Sequence, residues 1–590
     1  MMRIYQIISL AVICIAFSLS AISPASAQGF LKADGKRIVN EKRENVLLRA
    51  MGLGGWMLQE GYMLGIDGHG QQHLIRKRIE ELIGKEQTQI FYNKWLANHT
   101  TKADVDAMRS WGFNSIRLPM HYNLYTLPIE EEPVAGQNTW LEKGFAMTDS
   151  LLSWCKSNGM YLILDLHGAP GGQGNDFNIS DRDPAKPSLW DSEANKNKTI
   201  ALWHKLAEKY ANEPWIGGYD IINEPNWGFE NRETDQHGLQ EKKNEPLRKL
   251  MIDITKAIRS VDQKHLVIIE GNGWGNNYNG IFPLWDDNLV LSYHKYWAFN
   301  DQGSAQGMLD ARDKYNVPVW LGETGENSNV WFTEAIRLFE KNNIGWAWWP
   351  LKKLGHNNPL QVRSNPDYDA LKEYWNGKGA KPASAKALKG LMKLADDLKI
   401  ANTIVHRDVI DAMFRQPFSI ETKPFTTHSV KDKTVIQAVD YDLGILGQAY
   451  FDTDTADYHV STNKTTIGNR GRIYRNDGVD IQKHAAPLSG YYISDIETGE
   501  WLQYTVDLAK PGKYALKFNV ASENNKGKLT FLVNGKPVIK DMAIANTGSW
   551  DKFETVTLKN INLAAGKHQF RVLAAEGGFN ISSIAFEKLP

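Results

Sequence analysis

The chain of 590 residues contains only two cysteines, Cys14 and Cys155. Cys14 lies in an N-terminal apolar run, so once that run is removed Cys155 stands alone and no intramolecular disulfide can form. Set in LLSWCKSNG at helical spacing, Cys155 reads as a packed core thiol rather than a nucleophile. An excess of charge is lacking too: Lys+Arg and Asp+Glu both number 68. That balance excludes a nucleic-acid footprint and a polybasic membrane surface. Past the N-terminus no apolar run approaches the roughly 18 residues of a membrane span. There is no H-E-x-x-H and no paired-cysteine spacing, which removes the usual transition-metal centres. No G-x-S-x-G elbow marks a serine hydrolase. No G-x-G-x-x-G follows an early strand, as a dinucleotide fold would require.

What is present is ordinary globular composition, 42% hydrophobic and 23% charged. The length exceeds one hydrophobic core and implies two or three domains. Aromatics are abundant, with 20 Trp, 22 Tyr and 21 Phe. Flat rings in that number suit stacking on flat ligands such as sugars, although large cores also use them. The N-terminus reads as a signal peptide over 1–27. Arg3 precedes the run IISLAVICIAFSL, and Ala25-Ser26-Ala27 supplies an A-x-A cleavage site before Gln28. The mature protein is therefore expected to be exported, to periplasm, cell surface or medium, without a membrane span or lipid anchor.

Between residues 45 and 377 short apolar runs alternate with amphipathic segments. The strand candidates are VLLRAMGLGG (46–55), FNSIRLP (113–119), MYLILDLHG (160–168), IGGYDIIN (216–223), HLVIIEG (265–271), LVLSYHKY (289–296), VPVWLGE (317–323) and IGWAWWP (344–350). Eight near-continuous apolar strands alternating with helices imply a parallel sheet. Their number and spacing predict an α/β fold, a closed (β/α)8 TIM barrel over 28–377. Residues 378–430 read as a helical and extended joining segment. From 431 to 590, period-2 runs such as GEWLQYTVDL and KLTFLVNG are separated by Gly, Asn and Pro turns. They predict an antiparallel β-sandwich.

Polar residues collect at the C-terminal ends of the barrel strands: Arg117, His167, Asn223 with Glu224, His294 with Tyr296, Glu323 and Trp349. In a barrel those ends converge on the face that carries active sites. Each alone could be a loop cap; eight positions from six strands make a site. Glu224 and Glu323 are two carboxylates that can flank one glycosidic bond, one protonated to donate and one ionised to attack. Arg117 and Tyr296 would hold Glu323 ionised, and the like charge of Glu323 would raise the pKa of Glu224. Asn223 would bond the sugar 2-OH, and Trp349 would form a platform under the ring.

INEP at 222–225 and GE at 322–323, with RAMGLGGWMLQE (49–60), LDLHGAPGGQ (164–173) and EPWIGGYDIINEP (213–225), resemble glycoside hydrolase family 5, in particular its exo-β-1,3-glucanase-like branch. The resemblance covers about residues 30–377. It implies a retaining (β/α)8 hydrolase with Glu224 as acid/base and Glu323 as nucleophile. Arg117, His167, Asn223, His294, Tyr296 and Trp349 would surround the sugar at subsite −1. GNGWGNNYNG (271–280) and LKKLGHNNPL (351–360) depart from any substrate class in that pattern. The C-terminal region, with YRNDGVDI (474–481), TGSW (547–550) and GGFNISSIAF (577–586), resembles carbohydrate-binding module family 6. It implies glycan binding by Tyr474, Trp550 and Asn580. Family 6 modules also imply a structural Ca²⁺ near the first strand, but in IQAVDYD (436–442) Val439 stands where an acid is usual.

The expectation is a monomeric, exported retaining β-glucanase acting on a β-1,3-linked polysaccharide of laminarin type, without a required cofactor. The same eight barrel residues would serve a β-1,4-glucanase or β-mannanase, or a transglycosylase. A non-catalytic glycan-binding protein and a protein-docking scaffold are the alternatives outside enzymes.

Overall fold

The computed structural model describes residues 29–454 and 473–590, apart from His69 and Trp297; the expected signal peptide lies outside the described residues. After a small hairpin of Lys32–Asp34 with Arg37–Val39, eight parallel strands close into a barrel. They are β1 (Arg49–Gly52), β2 (Ser115–His121), β3 (Tyr161–Gly168), β4 (Ile216–Asp220), β5 (Val267–Glu270), β6 (Leu289–Lys295), β7 (Val319–Gly325) and β8 (Gly345–Trp349). Strand β8 pairs back onto β1, with Trp346 opposite Arg49. Almost every residue of these strands is buried, as a sheet enclosed by helices demands.

Helices α1 (Gln72–His99) and α2 (Lys102–Trp111) follow β1, and α3 (Glu142–Asn158), α4 (Glu193–Tyr210) and α5 (Glu245–Arg259) follow β2, β3 and β4. Their ends have local causes. Thr101 and Asp104 form a capping box at the start of α2, and Gly159 ends α3 in the left-handed conformation. Strands β6 and β7 are followed by α6 (Gln302–Tyr315) and α7 (Asn329–Lys341). The β5–β6 connection departs from the repeat. It holds a single turn, Asn272–Gly275, in which Gly273 and Trp274 both have positive φ. GNGWGNNYNG has too few helix-forming residues to build the missing helix.

The joining segment is mostly part of the barrel unit. α8 (Pro366–Trp375), α9 (Ser384–Asp397) and α10 (Arg407–Phe414) pack on its outside. Leu391 and Leu394 of α9 share a core with Ile75, Ile79 and Trp95 of α1. The C-terminal region is a sandwich of two sheets. One runs 428–430, 501–508, 566–576, 528–533, 536–543; the other runs 481–483, 491–493, 580–588, 512–521, 554–563. Phe518, Phe531, Phe570 and Phe586 meet between them. Strand His428–Val430 already belongs to the sandwich, just ahead of the boundary expected at 431.

One buried ion pair ties the barrel to its joining helices. The Lys352 ammonium is fully enclosed, pairs with Asp104 at 2.5 Å, and donates to the carbonyls of His99 and Leu398. Removing one partner of such a pair strands the other charge in a low-dielectric site. Asp104→Ala, which also loses the cap of α2, is expected to cost roughly 3–5 kcal/mol. Denaturant unfolding of the full chain measures it; a loss under 1 kcal/mol, the scale of an exposed pair, would contradict this role.

Candidate active site

The C-terminal mouth of the barrel opens into a cavity of about 750 Å³ lined by Glu60, Tyr62, His167, Glu224, Trp274, His294, Tyr296, Glu323, Glu326 and Trp349, among others. At its base lies Arg117, with no solvent exposure. It sits at the third position of β2 rather than at the strand's end, and its length carries the guanidinium up to the mouth. It donates to Asp220 at 2.9 Å, Glu323 at 2.5 Å, Asn223 at 2.8 Å and Glu270 at 3.1 Å, and stands 3.2 Å from Asp165.

The apolar strand that runs into Asn223-Glu224-Pro225 now has an explanation. β4 ends at Asp220, Ile221 and Ile222 stay buried, and the backbone turns at Glu224 with φ +43°. Such a conformation in a non-glycine residue is held only where surroundings over-determine it. Here the Glu224 N–H donates to Glu270 at 2.7 Å, Asn226 Nδ2 donates to the Glu224 carbonyl at 2.9 Å, and Trp274 N–H donates to the Pro225 carbonyl at 3.1 Å. The turn aims the Glu224 carboxyl at His294, whose Nδ1 lies 2.6 Å from Oε1.

Glu323, on β7, faces it. Tyr296 donates to Glu323 Oε2 at 2.7 Å, and His294 Nδ1 stands 3.7 Å from the same oxygen. A carboxylate oxygen of Glu224 and one of Glu323 lie within 4.8 Å of each other. The two acids sit in opposite electrostatic settings. Burial pushes Glu224 up to about 7, reinforced by the charges of Glu323 and Glu270 and opposed by His294. Burial also presses on Glu323, but His294, Arg117 and the Tyr296 hydroxyl outweigh it and hold that carboxyl below its ordinary value.

His167 stacks on Trp349, centroids 5.1 Å apart, while its Nδ1 meets Asp165 at 2.8 Å. Burial drives His167 down to about 3, so it is neutral. Trp349 lines the cavity, whereas its neighbour Trp348 is buried against Phe332 and Trp346. The seat of Trp349 explains the glycines of RAMGLGG. A Cβ on Gly52 or on Gly54 would lie 2.6 Å from its indole ring. Six of the eight barrel residues singled out in the sequence line this cavity, and Arg117 and Asn223 lie buried behind them. Strand patterning missed Glu60, Tyr62, Glu270 and Trp274. Glu270 ends β5 as Glu323 nearly ends β7, and that strand-end acid was a readable signal. Tyr62 accepts from Trp349 Nε1 at 3.0 Å, and burial with Glu323 nearby raises Glu60 well above the carboxylate range.

Glu224, His294 and Glu323 could by spacing hold a metal ion. Arg117 argues against it, since a guanidinium 2.5 Å from Glu323 repels a second cation. The turn expected to hold Ca²⁺ in the sandwich does not fit one either. Val439 is buried there, and Asp440 accepts from the Tyr474 hydroxyl at 2.5 Å.

In the sandwich the structure brings Trp550 and Asn580 together. Both line a recess, Asn580 donates to the Trp550 carbonyl at 2.7 Å, and Trp550 is 40% exposed. Tyr474 is a correction. It packs against Tyr491 and Phe425, away from that recess, because its hydroxyl is bound by Asp440. Tyr492 lines the recess instead, backed by Phe553. The recess is acidic, with Asp452, Asp480, Asp495, Glu497 and Glu500 on its walls.

Two carboxyls of opposite protonation tendency at the mouth of a (β/α)8 barrel are the equipment of an O-glycosyl hydrolase. The family comparisons agree. Residues 77–355 match the cellulase family, glycosyl hydrolase family 5, and residues 472–588 match the family 6 carbohydrate-binding module. A β-xylosidase of Phanerodontia chrysosporium is 26% identical over 379 residues, 58% of this chain and 75% of its own length. Endoglucanase C of Acetivibrio thermocellus is 27% identical over 260 residues, 44% of this chain and 65% of its own. A glucan 1,3-β-glucosidase of Candida oleophila is 28% identical over 308 residues, 49% of this chain and 66% of its own. The chain thus spans just under two thirds of the last two relatives.

The seat of Trp349 gives a direct test of its role. Gly52→Ala forces the indole to shift, and displacements near 1 Å can cost about a hundredfold in rate. The expected result is a loss of about 10–100-fold in kcat/KM with the melting transition retained; unchanged kinetics would remove Trp349 from the site.

Proposed function

We propose that the protein is an exported retaining β-glucanase whose substrate is a β-1,3-linked glucan of laminarin type. The observation that carries this reading is the Glu224–Glu323 pair, whose oxygens approach within 4.8 Å while their neighbours drive the two protonation equilibria apart. A short separation suits a covalent intermediate; an inverting site leaves roughly 6.5–9.5 Å for a water. In the cycle Glu323 attacks the anomeric carbon while Glu224 gives its proton to the departing oxygen. A glycosyl ester on Glu323 results. Glu224, now ionised, takes a proton from water, which attacks the same carbon and frees Glu323, so that the β configuration is kept. Tyr296 and Arg117 hold the nucleophile's oxygens, and Asn223, pinned by Arg117, faces the sugar 2-OH. His294 links the two carboxyls and makes Glu224 responsive to the charge on Glu323.

Preference for β-1,3 linkage is supported by the glucan 1,3-β-glucosidase relative and by RAMGLGGWMLQE, which supplies both the seat of Trp349 and the cavity residue Glu60. A β-1,4-glucanase is the second reading, favoured by the similarity to Endoglucanase C. In the sandwich, Trp550, Tyr492 and Asn580 are assigned to glycan binding, which would raise the local concentration of enzyme on polymer.

Reducing-sugar release from laminarin, carboxymethylcellulose, lichenan and mannan decides the linkage. Laminarin is expected to be cleaved fastest, and cleavage of carboxymethylcellulose alone would select the second reading. Glu323→Ala is expected to abolish turnover while polymer pull-down persists; wild-type turnover in that variant would overturn the nucleophile assignment. The pH dependence follows from Glu224, which must be protonated to act as an acid. The kcat/KM of the wild type should therefore fall as pH rises through about 7. In Glu224→Ala, an aryl glycoside with an acidic phenol leaving group needs no proton, and its profile should lack that limb. A limb that survives would assign it to another group.

A further inference from the structure

Within YRNDGVDI, Asn476 faces the barrel and takes no part in the sugar recess. Arg475 and Asp477 pair inside the sandwich, at 2.6 Å, with the Arg475 guanidinium lying over Tyr441. Between them Asn476 points the other way, into the barrel, and is completely buried. Its Nδ2 donates to the carbonyl of Asn327 at 2.8 Å and to Asn329 Oδ1 at 3.1 Å. Its N–H donates to Asp408 Oδ2 at 2.7 Å, and its carbonyl accepts from the Asn329 N–H at 2.7 Å. Asn329 Nδ2 reaches the same Asp408 oxygen at 2.8 Å. Asn327, Ser328, Asn329 and Asp408 are all buried. Buried hydrogen bonds of this density fix geometry, because opening any one leaves an unpaired polar group without water.

The segment that Asn476 holds is the loop directly after β7, four residues past Glu323. It begins at Glu326, whose φ is +53° and whose carboxylate pairs with Lys353. Lys353 lies over the Tyr62 ring, and Tyr62 accepts from Trp349 Nε1. Glu326, Tyr62 and Trp349 together form one wall of the substrate cavity. The oxygens of Glu323 are fixed separately, by Arg117 and Tyr296.

We infer that Asn476, a residue of the carbohydrate-binding module, is a positioning residue of the barrel's active site, holding the cavity wall of Glu326, Tyr62 and Trp349 through the loop at 327–329. The module is then part of the catalytic unit and acts on substrates too short to reach the sugar recess. This goes beyond polymer targeting, and it does not depend on which linkage is cleaved. Because the wall touches sugar without touching the breaking bond, its loss should weaken ground state and transition state alike and appear in KM.

The test is kinetics of full-length Asn476→Ala and Asn476→Asp on soluble laminari-oligosaccharides, normalised to folded protein. The aspartate variant keeps the size and backbone bonds but replaces the Nδ2 donors with an oxygen facing the Asn327 carbonyl and Asn329 Oδ1. Both are expected to raise KM about tenfold, the scale of a small misplacement, with kcat and the pH profile nearly unchanged. A purely structural role would lower the melting temperature and leave KM alone, and wild-type KM in the folded aspartate variant would overturn the inference. If the wild type cleaves no laminari-oligosaccharide, the linkage reading has failed, and the kinetics move to the oligosaccharide of whichever polymer it does cleave. Amide exchange on the wild type needs no variant. The amide of Asn329 should be protected as strongly as the barrel strands; exchange as fast as an exposed loop would overturn the inference whatever the variants do.

Discussion

The site depends on a single buried cation. Arg117 faces Asp165, Asp220, Glu270 and Glu323 within 3.2 Å, all of them shut away from water. One guanidinium cannot keep four carboxylates ionised in a low-dielectric interior, so the protein must decide which of them carry charge. Burial raises Asp165 and Asp220 well above the ordinary range despite Arg117 beside them. Glu270 and Glu323 go the other way because each has additional help. His294 stands by both, Glu270 also accepts the Glu224 N–H, and Glu323 accepts the Tyr296 hydroxyl. Charge is thus concentrated on Glu323, the proposed nucleophile, and on Glu270, which pins the Glu224 backbone.

The same network accounts for the strained turn at Glu224. The chain leaves extended form after Asp220, and it is from that turn that the Glu224 carboxyl meets His294. Ending the strand at Asp220 and turning at a positive φ re-aims it, and Glu270 supplies the compensating bond to its N–H. Pro225 keeps the chain from resuming regular structure. The functional geometry is therefore placed by backbone irregularity just beyond a regular strand, a division of labour that the barrel architecture permits at every strand end.

Much of this was legible in the sequence, and for a physical reason. Buried parallel strands are continuous apolar runs, so eight of them could be counted, and the polar residues that terminate such runs had to lie on one face. Arg117, Glu224 and Glu323 stand out against that apolar background. Glu270 stands out equally as a strand-end acid, although its particular task, bonding a backbone N–H, is written only in the fold. Tyr474 is where the sequence misleads. Its motif was right for the module, but whether a ring faces sugar or core depends on Asp440, Phe425 and Tyr491, which lie 34, 49 and 17 residues away. Trp274 could not have been found by periodicity at all, since it sits at a positive φ in a connection that lacks its helix.

The junction between modules belongs to the same class of long-range fact. YRNDG looks like a turn within the sandwich, and Arg475 with Asp477 does build that turn. Only the fold reveals that the residue between them satisfies the backbone of another domain. A flexible tether would have left Asn327, Asn329 and Asp408 to find water or each other. Burying them under Asn476 instead ties the loop after β7 to the sandwich by hydrogen bonds shut away from water. Rigidity at that loop matters because Arg117 and Tyr296 secure Glu323 from other strands, while Asn327 and Asn329 are held by Asp408 of α10 and by Asn476 of the sandwich. On the proposed mechanism a sugar ring fits between Glu323, fixed by the barrel, and a wall fixed in part by the sandwich, and that shared fixation joins the two modules into one catalytic unit.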